Sequence, residues 1–280
     1  MERQGPATLI PASPHSAPPA SPAPIRDLFS IPIHAMRMEE VLDRVDETIA
    51  RRGGLQIGVV NAAKIVNMRR NDLLRRSVLS SDLILADGIS VVWASRLLGR
   101  PLPERVAGID LMMGMFRRGN EQGYRLFCLG ATDEVLDKVA ARITADFPNI
   151  RQVGRQNGYF PEEEEETIAG HIAAANPDIL LVAMTSPKKE KFLARWSDRI
   201  GVPVCHGVGG SFDVFAGKVM RAPERWQRLG LEWLYRLKQE PRRLWRRYLT
   251  TNTIFCAMVL SELLKRRPRL GGVNPFRPPV

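Results

Sequence analysis

The feature that most constrains the fold is a regular alternation of short apolar runs with amphipathic segments of roughly ten to fifteen residues. The apolar runs are residues 55–60, 82–86, 124–129, 150–153, 179–183 and 202–206. Such runs, separated by helical segments, are typical of parallel strands in a sheet that helices cover on both sides. We therefore predict an α/β fold with a Rossmann-like parallel sheet and helices on both faces. The same pattern predicts a strand at 29–33 and one helix at 62–79.

The chain divides into four predicted segments. Residues 1–26 form a disordered leader rich in Pro and Ala, because seven prolines fall within the first 25 residues. Residues 27–217 form the Rossmann-like domain. Residues 218–270 form a basic, amphipathic, helical C-terminal appendage, and residues 271–280 form a tail.

The net charge of +11 is concentrated at the C-terminal end. Residues 217–280 hold 15 Lys and Arg against 4 Asp and Glu, so the rest of the chain is neutral. A basic segment of this kind binds nucleic acid, anionic lipid or a phosphorylated substrate, and charge alone does not choose among them. Within it, the apolar run 254–264 is shorter than the roughly 20 residues that span a bilayer. Because basic residues flank this run, it favours a helix in the headgroup layer. The alternative is packing on the domain or in an oligomer contact.

The three cysteines and four histidines are scattered along the chain, and their spacing fits no metal site. We predict neither a metal nor a cofactor.

Asp87 is the first candidate for a catalytic residue. It follows the apolar run 82–86 and precedes Gly88 and a helical segment, so it lies at the carboxyl end of a predicted strand. Open α/β sheets bind their ligands in the crevice outside these ends. The alternative is a structural role, since Asp before Gly is common at helix N-caps and in turns.

A series of short motifs follows the predicted strands. The motifs are Asn61-Ala62-Ala63-Lys64, Ala86-Asp87-Gly88, Glu104-Arg105-Val106-Ala107-Gly108, Asn157-Gly158-Tyr159-Phe160, Ser186-Pro187-Lys188-Lys189-Glu190, Gly207-Val208-Gly209-Gly210-Ser211-Phe212-Asp213, Arg221-Ala222-Pro223 and Leu231-Glu232-Trp233-Leu234-Tyr235-Arg236-Leu237. In this order, from about Asn61 to Tyr248, the series resembles the WecG/TagA/CpsF family of bacterial glycosyltransferases.

The resemblance implies an inverting hexosyltransferase that moves a sugar from a UDP-sugar to a polyprenyl-diphosphate-linked sugar, in surface or exopolysaccharide biosynthesis. It implies a peripheral protein at the cytoplasmic face of the bacterial inner membrane, with residues 27–217 as the catalytic domain. The appendage then contacts the anionic membrane surface and helps to close the site. A homo-oligomer is left open.

The resemblance also implies roles for individual residues. It places the general base on Asp87, and a carboxylate at hydrogen-bonding distance can take the proton of an attacking hydroxyl. It places substrate contacts on Asn61, Arg105 and Asp213. The appendage arginines are Arg236, Arg243 and Arg246. Guanidinium groups give charged, bidentate contacts to phosphate, and the sequence has no Asp-x-Asp motif to hold a metal there.

Two positions depart from the family pattern. Val59 stands where the family usually has Thr, and Lys189 stands where it has Gln. We hypothesise that Lys189 binds an anionic substrate group, either a diphosphate oxygen or the carboxylate of a uronic-acid sugar. Two other functions stay open: a nucleic-acid-binding α/β protein that uses the basic segment, and a scaffold of the same family that has lost catalysis. The presence of Asp87, Asn61 and Arg105 favours the enzyme, with no nucleic acid as partner.

Overall fold

The computed structural model of the protein describes residues 23–185, 188–228 and 230–265, without the side chains of Glu190, Arg228, Arg243, Leu244 and Arg247. The strands are β1 (Ile25–Leu28), β2 (Ile31–His34), β3 (Leu55–Val60), β4 (Leu83–Ala86), β5 (Arg125–Gly130), β6 (Arg151–Gln156), β7 (Ile179–Ala183) and β8 (Val204–Gly207). The helices are α1 (Met38–Ala50), α2 (Ala62–Met68), α3 (Asp72–Leu79), α4 (Ile89–Leu97), α5 (Gly108–Gln122), α6 (Asp133–Asp146), α7 (Glu165–Ala175), α8 (Lys188–Ile200), α9 (Ser211–Phe215), α10 (Glu224–Arg228), α11 (Glu232–Gln239) and α12 (Pro241–Lys265). The predicted leader as far as residue 22, the end of the appendage from residue 266 and the predicted tail lie outside the described residues.

Six of the described strands form one parallel sheet in the order β4-β3-β8-β7-β5-β6. Val60 of β3 pairs with Ala86 of β4, and Ile57 of β3 pairs with His206 of β8. The carboxyl ends of β4, β3 and β8 therefore lie side by side. We call this side of the sheet, where the strands end, the edge of the sheet.

Helices cover both faces of this sheet because the apolar strands present side chains to both. Leu83 and Leu85 of β4 pack in a core layer with residues of α1, α5, α6 and α9. Ile84 and Ala86, which point the other way, pack with α2, α3 and α4. On that second face, Leu180 and Val182 of β7 pack with α7 and α8. The predicted fold class, a parallel α/β sheet flanked by helices, is confirmed.

The predicted strand at 29–33 is correct only for residues 31–33, which belong to β2. The segment instead folds as a hairpin in which β1 and β2 pair antiparallel, with Ile25 opposite His34. Phe29 and Ser30 form the turn with φ values of 57° and 58°. Positive φ at both central residues is the geometry of a tight hairpin turn whose twist matches its strands. The hairpin lies beside β4, the outermost strand of the sheet, where the backbone amide of Ile84 donates to Nδ1 of His34 at 3.0 Å.

The predicted helical segment at 62–79 begins and ends at the predicted residues, but a break divides it into two helices. α2 ends at Met68 and α3 begins at Asp72. Asn71 adopts an extended conformation, and its side-chain oxygen accepts from the amide of Leu74 at 2.9 Å. A side chain that satisfies a free backbone amide starts a new helix, which explains the break.

The helix α12 packs one face on the domain. Phe255, Met258 and Val259 are buried in the same core layer as the hairpin, α2 and α4. The ring of Phe255 meets that of Phe29 with centroids 5.6 Å apart. The face turned to solvent exposes Trp245, Leu249, Leu260 and Leu264. The alternative, that the apolar run packs on the domain, therefore holds for one face of the helix, and for the exposed face the headgroup layer stays a prediction. In the described part of the chain, no helix combines the length and apolar character needed to cross a membrane.

Candidate active site

The candidate site lies where three neighbouring strands end. Asn61 follows β3, Asp87 follows β4, and Asp213 lies on α9, shortly after β8. Because these strands are parallel neighbours, three side chains that are far apart in sequence come to one edge of the sheet. This edge is where open α/β sheets place their ligands.

Asp87 is held by two donors. Its Oδ1 accepts a hydrogen bond from the backbone amide of Gly108 at 3.0 Å, and its Oδ2 lies 3.3 Å from Nδ2 of Asn61. The amide of Asp87 itself donates to the carbonyl oxygen of Val60 at 2.9 Å. These contacts fix the carboxylate, which is half-buried. Each carboxylate oxygen has two lone pairs, so Oδ2 keeps one for an incoming proton.

Asn61 is oriented by its role as a helix cap. Its Oδ1 accepts from the amide of Lys64 at 3.0 Å and so caps α2. Because the cap uses the oxygen of the side-chain amide, Nδ2 is the atom that faces Asp87. The same residue therefore starts a helix and donates to the candidate base.

Asp87 also caps a helix, which was the alternative, structural role. The capped helix is α5 and not α4, the next helix in the chain. The next helix in the chain, α4, begins after Gly88 and has no side-chain cap. Asp87 instead accepts from Gly108, the first residue of α5. Free amides and the helix dipole favour an anion at such an end. The cap uses Oδ1, so the structural and the chemical roles involve different oxygens.

Arg105 belongs to a group of four charged side chains that we call the arm network: Arg105, Asp110, Arg221 and Glu232. Its Nη1 lies 2.9 Å from Glu232 Oε2, and its Nη2 lies 3.2 Å from Asp110 Oδ2. Nη2 of Arg221 lies 2.5 Å from Oδ1 of Asp110 and 3.9 Å from Oε1 of Glu232. Two cations and two anions balance, and the network links the edge of the sheet to α11 of the appendage.

The arm network contains residues to which sequence reasoning gave no role. Arg105 and Glu232 are 127 residues apart, and no local pattern pairs them. The available signal was position: Arg221 and Glu232 lie inside the motifs, and Asp110 lies two residues after the motif that ends at Gly108.

Lys189 and Asp213 lie on either side of β8 along the chain. Lys189 is in the first turn of α8, and its Nζ packs so closely on Gly207 that a Cβ atom there would come within 2.9 Å of it. It lines a narrow cleft of about 30 Å³ together with Lys64 and Gly207. The carboxylate of Asp213 lies 3.8 Å from Nζ of Lys218.

The appendage arginines lie on α11 and α12. Arg236 and Arg246 are exposed, and the guanidinium of Arg246 stacks on the ring of Trp245 at 5.2 Å from its centroid. Among the side chains that the structure describes, neither arginine forms a hydrogen bond or ion pair with Asp87. The side chain of Arg243 lies outside the described part of the molecule.

His206 lies next to the site and was not singled out by sequence reasoning. It is completely buried, with its two ring nitrogens each 3.3 Å from a carbonyl oxygen, those of Ile57 and Gly108. Burial lowers its pKa to about 4. A lone histidine at the end of an apolar run carries no distinctive signal, so sequence spacing alone did not identify it.

Within residues 23–185, 188–228 and 230–265, no three His, Cys, Asp or Glu side chains are grouped in a way that would hold a metal ion. A cavity of about 180 Å³ lies between α6 and the strands β5 and β6, lined by Cys128 and Arg155 among others. It is at the β6 end of the sheet, whereas Asp87 is at the β4 end, so this cavity is not part of the candidate site.

These features define a Rossmann-like α/β protein with a carboxylate held at the carboxyl ends of its strands and a basic helical appendage tied to that edge. The chain belongs to the glycosyl transferase WecG/TagA/CpsF family, whose sequence profile matches residues 26–269. It is similar to the N-acetylglucosaminyldiphosphoundecaprenol N-acetyl-beta-D-mannosaminyltransferase of Bacillus spizizenii, with 40% identity over 197 residues that cover 70% of this chain and 76% of that protein. The protein of the same name from Bacillus subtilis is 42% identical over 187 residues, which cover 67% of this chain and 72% of that protein.

Family membership confirms the resemblance given by the motifs and identifies the protein as a glycosyltransferase. It gives no support to the alternative of a nucleic-acid-binding protein.

Proposed function

We propose that the protein transfers a hexosyl-type sugar, with inversion, from a UDP-sugar to a sugar carried on a polyprenyl diphosphate, in the biosynthesis of a surface polysaccharide or exopolysaccharide. The names of its relatives support the acceptor class, since they specify diphosphoundecaprenol-linked N-acetylglucosamine. The same names specify a β-linked product, which results from inversion when the donor is an α-linked nucleotide sugar. The observation that carries the proposal is the carboxylate of Asp87, held at the crevice by Asn61 and Gly108.

In the proposed reaction, Asp87 acts as the general base. The acceptor hydroxyl oxygen attacks the anomeric carbon and forms the new glycosidic bond while Asp87 takes the hydroxyl proton. The bond from the anomeric carbon to the diphosphate oxygen breaks, and its electron pair leaves with UDP. Orientation of the base by two donors matters here, because small displacements of reacting groups strongly lower the rate.

Cationic side chains then stabilise the departing diphosphate. Arg105 precedes Gly108, the backbone contact of Asp87, by three residues and forms ion pairs with Asp110 and Glu232. Substrate phosphate oxygens exchange for one of these carboxylates, since guanidinium binds both anions in the same planar fashion. Arg236, Arg243 and Arg246 approach the diphosphate from the appendage. Asn61 and Asp213 contact the substrates at the strand ends.

The appendage is proposed to hold the protein on an anionic membrane surface as a peripheral protein, at the cytoplasmic face of the bacterial inner membrane. Trp245, Leu249 and Leu260 of α12 are 47%, 64% and 57% exposed and lie on one side of the helix. Arg242 and Arg246 lie at the start of the same helix. An exposed apolar stripe with basic residues and Trp at its edge is typical of a helix in the membrane interface.

The test compares two aspartates at opposite ends of β4. Asp87→Asn removes the base and is expected to lower transfer by at least 100-fold, the low end of the usual contribution of a general base. Asp82→Asn is the matched control, because Asp82 accepts from the amide of Gln56 at the amino end of the strand. UDP release is measured with a panel of UDP-sugars and a short-chain polyprenyl diphosphate sugar.

Donor binding and circular dichroism of both variants are expected to match the parent protein. Full transfer by the Asp87→Asn variant would remove Asp87 from the role of base. Absence of turnover in the parent protein with every donor of the panel would favour the alternative of an inactive scaffold.

A further inference from the structure

His206 is a buried polar residue in direct contact with the backbone that holds the candidate base. It lies on β8, is completely buried, and projects to the face of the sheet covered by α5. Buried polar groups are almost always hydrogen-bonded, because an unpaired one loses its hydration without compensation. The two partners of the ring are the carbonyl oxygens of Ile57 and Gly108, each at 3.3 Å.

Gly108 is the residue through which His206 reaches the site. Its amide donates to Oδ1 of Asp87 at 3.0 Å, and its carbonyl oxygen faces Nε2 of His206. The backbone of one residue therefore joins the base on one side to the imidazole on the other. A Cβ atom at position 108 would lie 3.6 Å from both Nε2 of His206 and a methyl group of Val59, so the three residues are in close contact.

The ring has a single proton to share between its two partners. Burial lowers the pKa of His206 to about 4, so the imidazole is neutral at physiological pH and donates from one nitrogen only. Two charges act on the ring: Lys189, which disfavours positive charge, and Asp87, which favours it. Nε2 is the nitrogen that faces Gly108, the residue whose amide contacts Asp87, so a proton on Nε2 is directed to the residue that joins the ring to the attracting charge.

We propose that His206 is a positioning residue for the base: it donates Nε2–H to the carbonyl oxygen of Gly108 and so fixes the amide that orients Asp87. The inference rests on the proposed role of Asp87. It differs from a purely structural role, in which the ring joins β8 to β3 through the carbonyl oxygen of Ile57.

Two substitutions separate these roles. In His206→Gln the side-chain amide reaches the place of Nε2 and keeps a donor for Gly108. In His206→Asn the shorter side chain reaches only the place of Nδ1, toward Ile57. We expect the Gln variant to keep kcat within about threefold. The Asn variant is expected to lose about 10- to 100-fold in kcat with an unchanged KM for the donor, since a displaced catalytic group affects the chemical step.

Cys205→Ala is the control for general damage to β8. Cys205 is adjacent in the strand and points to the opposite face, where it packs with α7 and α8. The control is expected to lower the melting temperature without lowering kcat. Equal losses of kcat in the Gln and Asn variants, or full kcat in the Asn variant, would overturn the proposal.

A measurement on the unaltered protein decides the matter if the variants do not fold. Nitrogen NMR of the histidine-labelled protein reports which ring nitrogen of His206 carries the proton near pH 7. Protonation at Nε2 is expected, and protonation at Nδ1 would overturn the proposal. This readout does not depend on turnover. Transfer retained by Asp87→Asn would instead refute the base itself, so the two failures are distinguishable.

Discussion

Replacing Glu232 with Gln tests whether the arm network holds the appendage against the domain. Glu232 is the contribution of α11 to the network, and it contacts Arg105 at 2.9 Å. Without its charge, Arg105 and Arg221 share the single carboxylate of Asp110, and the formal charge of the network changes from zero to +1. We therefore expect α11 to separate from the edge of the sheet more often.

The size of the effect follows from the burial of the pair. Exposed ion pairs contribute about 0–1 kcal/mol, whereas removing one partner of a buried pair costs about 3–5 kcal/mol. The side chains of Arg105 and Glu232 are 16% and 29% exposed, which places this pair between the two cases. A cost of about 1–2 kcal/mol corresponds to a shift of roughly 5- to 30-fold in the ratio of docked to undocked appendage.

Amide hydrogen exchange of α11 measures this ratio directly, because local opening sets the exchange rate. The control is Glu262→Gln. It removes a surface ion pair within α12, between residues three apart, in which Nζ of Lys265 lies 3.2 Å from Oε1 of Glu262. Its effect is expected to be below about 0.5 kcal/mol. A double-mutant cycle with Arg105→Gln, followed by denaturant unfolding, is expected to give a coupling energy of about 1 kcal/mol.

Equal exchange rates of α11 in the Glu232→Gln variant, the Glu262→Gln variant and the parent protein would show that the arm network does not hold the appendage against the domain. A coupling energy of zero between positions 105 and 232 would show that the ion pair contributes nothing to docking.

Three further predictions concern the crevice, the appendage and the buried imidazole. Lys189→Gln is expected to raise the KM of the donor or the acceptor, and unchanged Michaelis constants for both would refute the idea that Lys189 binds an anionic group. Replacing Leu249 and Leu260 with Glu is expected to abolish sedimentation with anionic vesicles and to change the melting temperature little, because both side chains are exposed. Phe255→Ala, on the buried face of the same helix, is instead expected to cost about 3–5 kcal/mol of folding free energy. The pKa of His206 falls from an ordinary 6.5 to about 4 on folding, so the unfolded chain takes up the proton first as the pH is lowered. The contribution of the neutral ring to folding stability is therefore complete above about pH 6.5 and is lost toward pH 4, at no more than about 1.4 kcal/mol per pH unit. Urea unfolding at each pH is expected to show a smaller slope for His206→Gln than for the parent protein.

The sheet and its edge were predictable from the sequence because their cause is local. Strands buried on both faces are apolar throughout, and residues that end them are visible as polar breaks in the pattern. The positions of Asn61 and Asp87 at strand ends follow from this pattern. In the structure Nδ2 of Asn61 lies 3.3 Å from Oδ2 of Asp87, because the two strands are neighbours.

The remaining features depend on contacts that no local pattern contains. The turn at Phe29 and Ser30 has neither the Gly nor the Asn that usually marks positive φ, and the contacts of the hairpin with β4 and α12 hold it in place. The pairing of Arg105 with Glu232 depends on how the appendage docks. The contact of His206 with the carbonyl oxygen of Gly108 depends on how α5 packs on β8, and no local pattern in the sequence contains this information.

The contact between the N-terminal hairpin and α12 also has a consequence for biosynthesis. Phe29 is among the first described residues to leave the ribosome, and its partner Phe255 is among the last. At about 5–20 residues per second, the 48 residues between Gly207, the end of β8, and Phe255 take about 2–10 s, so all strands of the parallel sheet emerge before the buried face of α12 does. During that interval the apolar surface of the hairpin and α2 that α12 later covers is exposed to solvent.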